Sequence, residues 1–221
     1  MLFSVTRNHL EPPNPYWSYQ DVGVFFLILV LLGLILRLFV RFHLLPRSEV
    51  TNPSGLLQFA VVVSLSVGLY LVLKLRHHQP VLRPLGWIWP RTAHIVIAVI
   101  SGILLASGVD LYLRFRHQST PRVPMVELLV LGFALGPILE ESFFRGCLLP
   151  LLAHSTGDIA AVILTALLFA LFHQPADFAH WVAFTATGAA YGWIRVVSRS
   201  TMAATLMHAT YNLALFLSGR V

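Results

Sequence analysis

The chain has 221 residues, 57% of them hydrophobic and only 11% charged, with a mean hydropathy of +0.77. So few polar residues cannot cover the surface of a soluble domain of this size, which excludes an ordinary water-soluble globule and points to an all-α, polytopic membrane protein. The net charge of +6 and the pI near 10.1 do not argue for a nucleic-acid partner. The basic residues are scattered through short loops, with no interleaved patch of exposed aromatics.

In chain order, Met1 to Gln20 is polar and carries Pro12, Pro13 and Pro15. It is too long and too polar for the basic leader of a signal peptide, and the apolar run after it exceeds a signal core, so the first span is expected to be retained. About seven apolar stretches then follow that can cross a hydrocarbon core of about 30 Å, which takes about 20 helical residues. They run approximately Val22–Phe42, Leu56–Leu75, Thr92–Leu113, Val126–Leu152, Ile159–His173, Phe178–Val197 and Ser200–Leu217, the fifth being short. Pro46, Pro53, Pro80, Pro84, Pro90, Pro121 and Pro124 all fall between spans, where helix breakers belong. Pro80 to Pro90 contains Leu85, Trp87, Ile88 and Trp89, and tryptophan prefers the headgroup level, so this stretch reads as interfacial.

The expected organisation is a single integral membrane domain over 1–221, with no internal repeat. Residues 1–20 form a polar N-terminal segment and 21–125 carry the first three spans, a scaffold or lateral gate. Residues 126–218 form a four-helix core that holds nearly all the embedded polar side chains. The loop Lys and Arg residues divide evenly between the two sides, so the positive-inside rule gives no orientation.

The feature that demands explanation is Glu140-Glu141, with Arg145 four residues on, inside the apolar fourth stretch. Ionisable residues at the bilayer centre are costly and mark functional sites. Adjacent helical residues point about 100° apart, so the two acids cannot share one role. Glu141 and Arg145 stand at i,i+4 with the acid first, the favourable order for a pair on one face. That leaves Glu140 to face the bundle interior, and Gly136-Pro137 one turn earlier is expected to kink the helix in front of it.

His173 closes the fifth span, and His208 and Asn212 share one face of the seventh at i,i+4. Depth links them. At 1.5 Å per residue from the side of the turn between the fourth and fifth spans, Glu140 lies about 18 Å deep and His173 about 21 Å. On the same scale His208 lies at about 12 Å and Asn212 at about 18 Å, so polar groups of three helices converge on one level. Asp110 pairs with Arg114 as an interfacial anchor. Cys147, the lone cysteine, reads as a small buried apolar residue, since one thiol makes neither an intrachain disulfide nor a cysteine-cluster metal site.

Three strings at these positions resemble the motifs of a known family. Glu140-Glu141-Ser-Phe-Phe-Arg145 is similar to EExxxR, Phe169-Ala-Leu-Phe-His173 to FxxxH, and His208-Ala-Thr-Tyr-Asn212 to HxxxN. The family is the CPBP (Abi) family of intramembrane proteases, the CAAX prenyl proteases and bacteriocin-processing proteins, which includes the Ras-converting CAAX endopeptidase. The segment from Gly188 through Tyr191 and Gly192 to Arg195 shares its look, and the resemblance covers roughly Val126 to Leu217.

The resemblance implies an intramembrane endopeptidase acting on membrane-associated, prenylated CAAX-type substrates. Glu140 with His173 would activate a water, His208 and Asn212 would stabilise the oxyanion, and Glu141 with Arg145 would support them. No cofactor is favoured; the alternative is a zinc site on Glu140, His173 and His208, whose donor types suit that ion. Other classes are a non-proteolytic membrane scaffold or immunity factor, and a proton-coupled transporter. A transporter predicts polar groups strung along a path at several depths, whereas these cluster at one. The expected partners are the lipid bilayer and its prenylated peptide substrates, in the plasma membrane of a prokaryote, with no nucleic acid.

Overall fold

The computed structural model describes residues 17–42, 65–76, 82–117 and 133–219. Every regular element among them is helical, and none is a strand. The polar N-terminal segment up to Tyr16, the first part of the second apolar stretch and the first part of the fourth lie outside the described residues.

The described residues divide into two compact units, a smaller one within Trp17–Val81 and a larger one from Leu82 onward. In the smaller unit, helix α1 (Tyr19–Arg41) starts on a reciprocal cap. The Ser18 N–H and hydroxyl both donate to Asp21 Oδ2, at 2.7 and 2.8 Å, and the Asp21 N–H returns to the Ser18 hydroxyl at 3.3 Å. That exchange satisfies donors a helix start leaves open. The next helix, α2 (65–76), is wound as a π-helix over its last part, Leu71–Arg76. It approaches α1 at Gly68, where a Cβ would come within 2.5 Å of the Phe25 ring.

The larger unit holds α3 (Thr92–Phe115), α4 (Gly136–Phe143), a π-helical turn Phe144–Leu148, α5 (Leu149–Thr156), α6 (Asp158–Phe172), α7 (Phe178–Ser198) and α8 (Thr201–Leu217). Among the described residues α3 is the helix long and apolar enough to cross a membrane by itself, while Tyr19–Ile35, Leu65–Lys74 and Asp158–Phe172 are shorter apolar helices. The outer face of α3 leaves Ile100, Leu104 and Leu111 exposed. Water penalises such a face and acyl chains do not.

Small residues set the packing, because without a hydrophobic drive between helices the backbones must come close. On α3 the buried row Ala98, Gly102, Ala106 runs at four-residue spacing. A Cβ on Gly102 would fall 2.7 Å from the Met207 carbonyl, which shows how closely α3 lies on α8. On α7, Gly188 rests on Ala166 and Gly192 on Val162 of α6. The turns between these helices are equally specific. Gly157 at φ +83° separates α5 from α6, Asp177 caps α7 by accepting the His180 N–H at 2.9 Å, and Ser200 caps α8.

The expected kink takes a different form. Gly136 and Pro137 stand at the start of α4 and are preceded by helical residues 133–135, so the winding changes there from π to α. A second change of winding follows at Phe144–Leu148, just before Pro150. Pro80–Pro90 also does more than lie at an interface. From Leu82 onward it forms a turn and an extended strap with Leu85 buried, lashed to α8 by hydrogen bonds from Ser200 Oγ to the Ile88 carbonyl and from the Thr201 N–H to the Gly86 carbonyl.

Candidate active site

The two glutamates of α4 diverge as helical geometry requires, and they meet opposite environments. Glu141 is fully buried, and its Oε1 accepts from Arg145 Nη1 at 3.1 Å and from His208 Nδ1 at 2.9 Å. Arg145 is equally buried; its Nη2 donates to the Gly188 carbonyl at 2.6 Å. The guanidinium also lies over the rings of Phe169, Tyr191 and Phe144, with its carbon 4.8, 5.4 and 5.6 Å from their centroids. A buried ion pair is tolerable only when further hydrogen bonds and favourable surroundings offset desolvation, and this one has a second donor, a carbonyl and three ring faces.

Glu140 is about a quarter exposed. Its Oε2 lies 3.7 Å from His173 Nε2 and has no hydrogen-bond partner. His173 ends α6, and its Nδ1 lies 2.8 Å from the Phe169 carbonyl. A carbonyl only accepts, so Nδ1 carries a proton, and Nε2 is the nitrogen turned toward Glu140. The ring is held between Phe169 and Phe184, at centroid distances of 4.3 and 4.5 Å. Glu140 Oε2 and His173 Nε2 therefore face each other beyond direct bonding distance.

His208 is nearly buried and stacks on Tyr191 at 4.6 Å and 17°. The Glu141 carboxylate assigns its proton to Nδ1 as well and turns Nε2 away from that acid. Asn212 stands one turn further along α8 and is partly exposed.

The structure thus brings Glu140 to His173 and, separately, Glu141 to both Arg145 and His208. The sequence reading paired Glu141 with Arg145 alone; the shared carboxylate was not visible because its second donor comes from another helix. Phe169 joins the two groups, touching the rings of both histidines and the Arg145 guanidinium. The zinc alternative needs Glu140, His173 and His208 gathered around one point. Among the described residues no group of three or more His, Cys, Asp or Glu side chains is arranged to hold a metal ion, and His208 spends Nδ1 on Glu141. Asp110 accepts from Arg114 at 2.9 Å and Cys147 is buried, in line with the roles their positions suggest.

Two side chains beside the site take roles that the sequence reading did not give them. Trp87 Nε1 donates to Ser142 Oγ at 2.9 Å, which fastens the strap to the residue after Glu141. Arg195, read as a loop charge, is buried and donates through Nε to the Arg145 carbonyl at 3.2 Å and to Thr201 Oγ1 at 3.1 Å. Its signal in the sequence was its place at the end of the Gly188 to Arg195 segment that resembles the family.

An acid pair, two histidines and an arginine thus stand together among apolar helices, three of them buried and Glu140 and His173 partly exposed. Residues 122–214 match the family model described as Rce1-like, type II CAAX prenyl endopeptidase. That family is one of membrane-embedded proteases, and this segment of the chain is similar to it. Comparison with curated proteins and with solved structures gave no match.

Proposed function

We propose that the chain is a metal-independent, glutamate-type intramembrane endopeptidase that hydrolyses peptide bonds of membrane-associated, prenylated CAAX-type substrates in a prokaryotic plasma membrane. About seven helical spans, of which the described helices are the part in view, would carry the site. The observation that carries this reading is the opposition of Glu140 Oε2 and His173 Nε2 at 3.7 Å, on side chains that are each about a quarter exposed. A water molecule gives one O–H to each and keeps an oxygen lone pair free for a substrate carbonyl carbon. As that C–O bond forms, Glu140 takes the proton; the tetrahedral intermediate then collapses, the C–N bond breaks, and the proton passes to the leaving amine.

His208 and Asn212 donate to the developing oxyanion, the interaction with the largest leverage in acyl transfer. His208 does so through Nε2, the nitrogen left over from its bond to Glu141. Glu141 and Arg145 touch no substrate and hold α4, α7 and α8 in register through the bonds to Gly188 and His208. The test is cleavage of a prenylated CAAX peptide by purified protein, run alongside its metal content and the effect of a chelator. The expected result is cleavage that survives chelation in protein free of zinc. Stoichiometric zinc with activity lost on chelation would overturn the metal-independent mechanism, and no cleavage of any membrane-anchored peptide would overturn the protease reading.

A further inference from the structure

The π-helical turn Phe144–Leu148 creates a hydrogen-bonding deficit in the site's own helix. The Leu149 N–H reaches back to the Phe144 carbonyl, five residues earlier, so the next residue is the one due to serve the Arg145 carbonyl. That residue is Pro150, which has no N–H. A carbonyl left without a donor in a buried segment is costly. The missing donor arrives from another helix: Arg195 Nε lies 3.2 Å from the Arg145 carbonyl oxygen.

The same Nε–H is shared with Thr201 Oγ1 at 3.1 Å, and Thr201 passes its own hydroxyl proton to the Leu85 carbonyl at 2.5 Å. The guanidinium lies close against the strap, since a Cβ on Gly86 would meet Arg195 Nη2 at 2.6 Å. The strap in turn rests on the π-turn, where a Cβ on Gly146 would meet the Leu85 carbonyl at 2.7 Å. Arg195 is only 4% exposed, and among the described residues no carboxylate is bonded to it. A buried cation answered by neutral acceptors alone is an expensive choice unless its geometry is needed.

We propose that Arg195 is a positioning residue: its Nε–H supplies the backbone hydrogen bond that Pro150 cannot, and through Thr201 it fixes the start of α8, and so His208, against the glutamate-bearing helix. As a contribution to turnover this rests on the protease reading above; as a clamp on the backbone it stands apart from it.

The experiment compares Arg195→Met, Pro150→Ala and the double variant in lipid nanodiscs. Steady-state cleavage of a prenylated CAAX peptide and amide hydrogen exchange over 82–90 and 144–152 are the readouts. Arg195→Met is expected to lower kcat by about tenfold or more with KM unchanged, since the residue acts through others and small misplacements carry such effects. Exchange should quicken in both segments. Pro150→Ala restores an N–H for the Arg145 carbonyl, so in the double variant exchange over 144–152 should slow again and part of kcat return, while 82–90 stays fast.

A general packing role predicts no such selective rescue. Wild-type kcat and exchange in Arg195→Met, or a double variant no better than the single one, would overturn the proposal. If Arg195→Met does not accumulate, Arg195→Lys, which keeps the charge without a guanidinium Nε–H, is measured in the same pair and read the same way. If the unaltered protein cleaves nothing, the protease reading falls and the exchange data alone decide the clamp.

Discussion

Glu140 and Glu141 are neighbours in sequence and opposites in setting. Glu141 is fully buried with two charged or chargeable donors on one oxygen and none on the other, whereas Glu140 is about a quarter exposed beside a histidine too far away to bond directly. The two settings mark different work. A carboxylate held by an arginine and a histidine of its own protein is committed to structure, and one whose neighbour stands beyond bonding distance leaves room for a third molecule. Arrangements of the first kind hold helices in place, and those of the second kind do chemistry.

The comparison breaks most visibly through stability. Glu141→Ala strands Arg145 in the interior without its counter-charge, and breaking a buried pair on one side costs about 3–5 kcal/mol. The expected outcome is a protein that fails to accumulate or melts far below the unaltered one, measured by thermal denaturation in detergent. A melting temperature unchanged in Glu141→Ala would place the sealed carboxylate among the dispensable groups. Next in size are His208→Ala and Asn212→Ala, for which turnover should fall by about 10²–10³ with little change in substrate binding. Weakened binding at unchanged turnover would move both residues from the oxyanion to substrate recognition.

Smaller effects are expected at the loop beside His173. Gln174 adopts φ +46°, a left-handed conformation that disfavours any residue with a Cβ. Gln174→Gly should raise stability by up to about 1 kcal/mol, offset in part by glycine's greater freedom when unfolded. Activity should be kept, because the His173 ring is held by the Phe169 carbonyl and two aromatic rings. A marked loss of activity would show that Gln174 itself serves the open face.

The smallest effect concerns Asp177. The His180 backbone N–H, with help from the His180 ring, holds the Asp177 carboxyl below its ordinary value. A carboxylate favoured in the folded state stabilises above its unfolded pKa, and that contribution is lost as pH falls through the lowered one. Amide exchange at the first turn of α7 should therefore quicken in acid, and Asp177→Asn should flatten that dependence. An identical acid profile in the variant would assign the fraying to another group.

Much of this architecture was legible because its signals are local. The expected spans Thr92–Leu113, Ile159–His173, Phe178–Val197 and Ser200–Leu217 correspond to α3, α6, α7 and α8 with ends differing by a residue or two, since apolar runs, Pro and Gly punctuate the chain where helices stop. Glu141–Arg145 was readable from its spacing for the same reason. The second bond on Glu141 was not, because His208 lies 67 residues away and only the fold brings it there. Arg195 misled for a related reason. A lone cation near the end of an apolar helix looks like a solvated loop charge until the carbonyl freed by Pro150 is found beside it. The strap from Leu82 to Pro90 looked like an interfacial tryptophan segment, and its hydrogen bonds to Ser142, Ser200 and Thr201 have no periodicity to betray them.

The contrast between the two acids is tested most directly by single-turnover cleavage of a prenylated CAAX peptide with Glu140→Gln, at matched amounts of folded protein. The amide keeps the shape of the side chain and removes the proton acceptor. The account predicts a rate lower by about 10²–10⁴, the usual contribution of a general base, with the melting temperature unchanged. A wild-type rate in Glu140→Gln would contradict it.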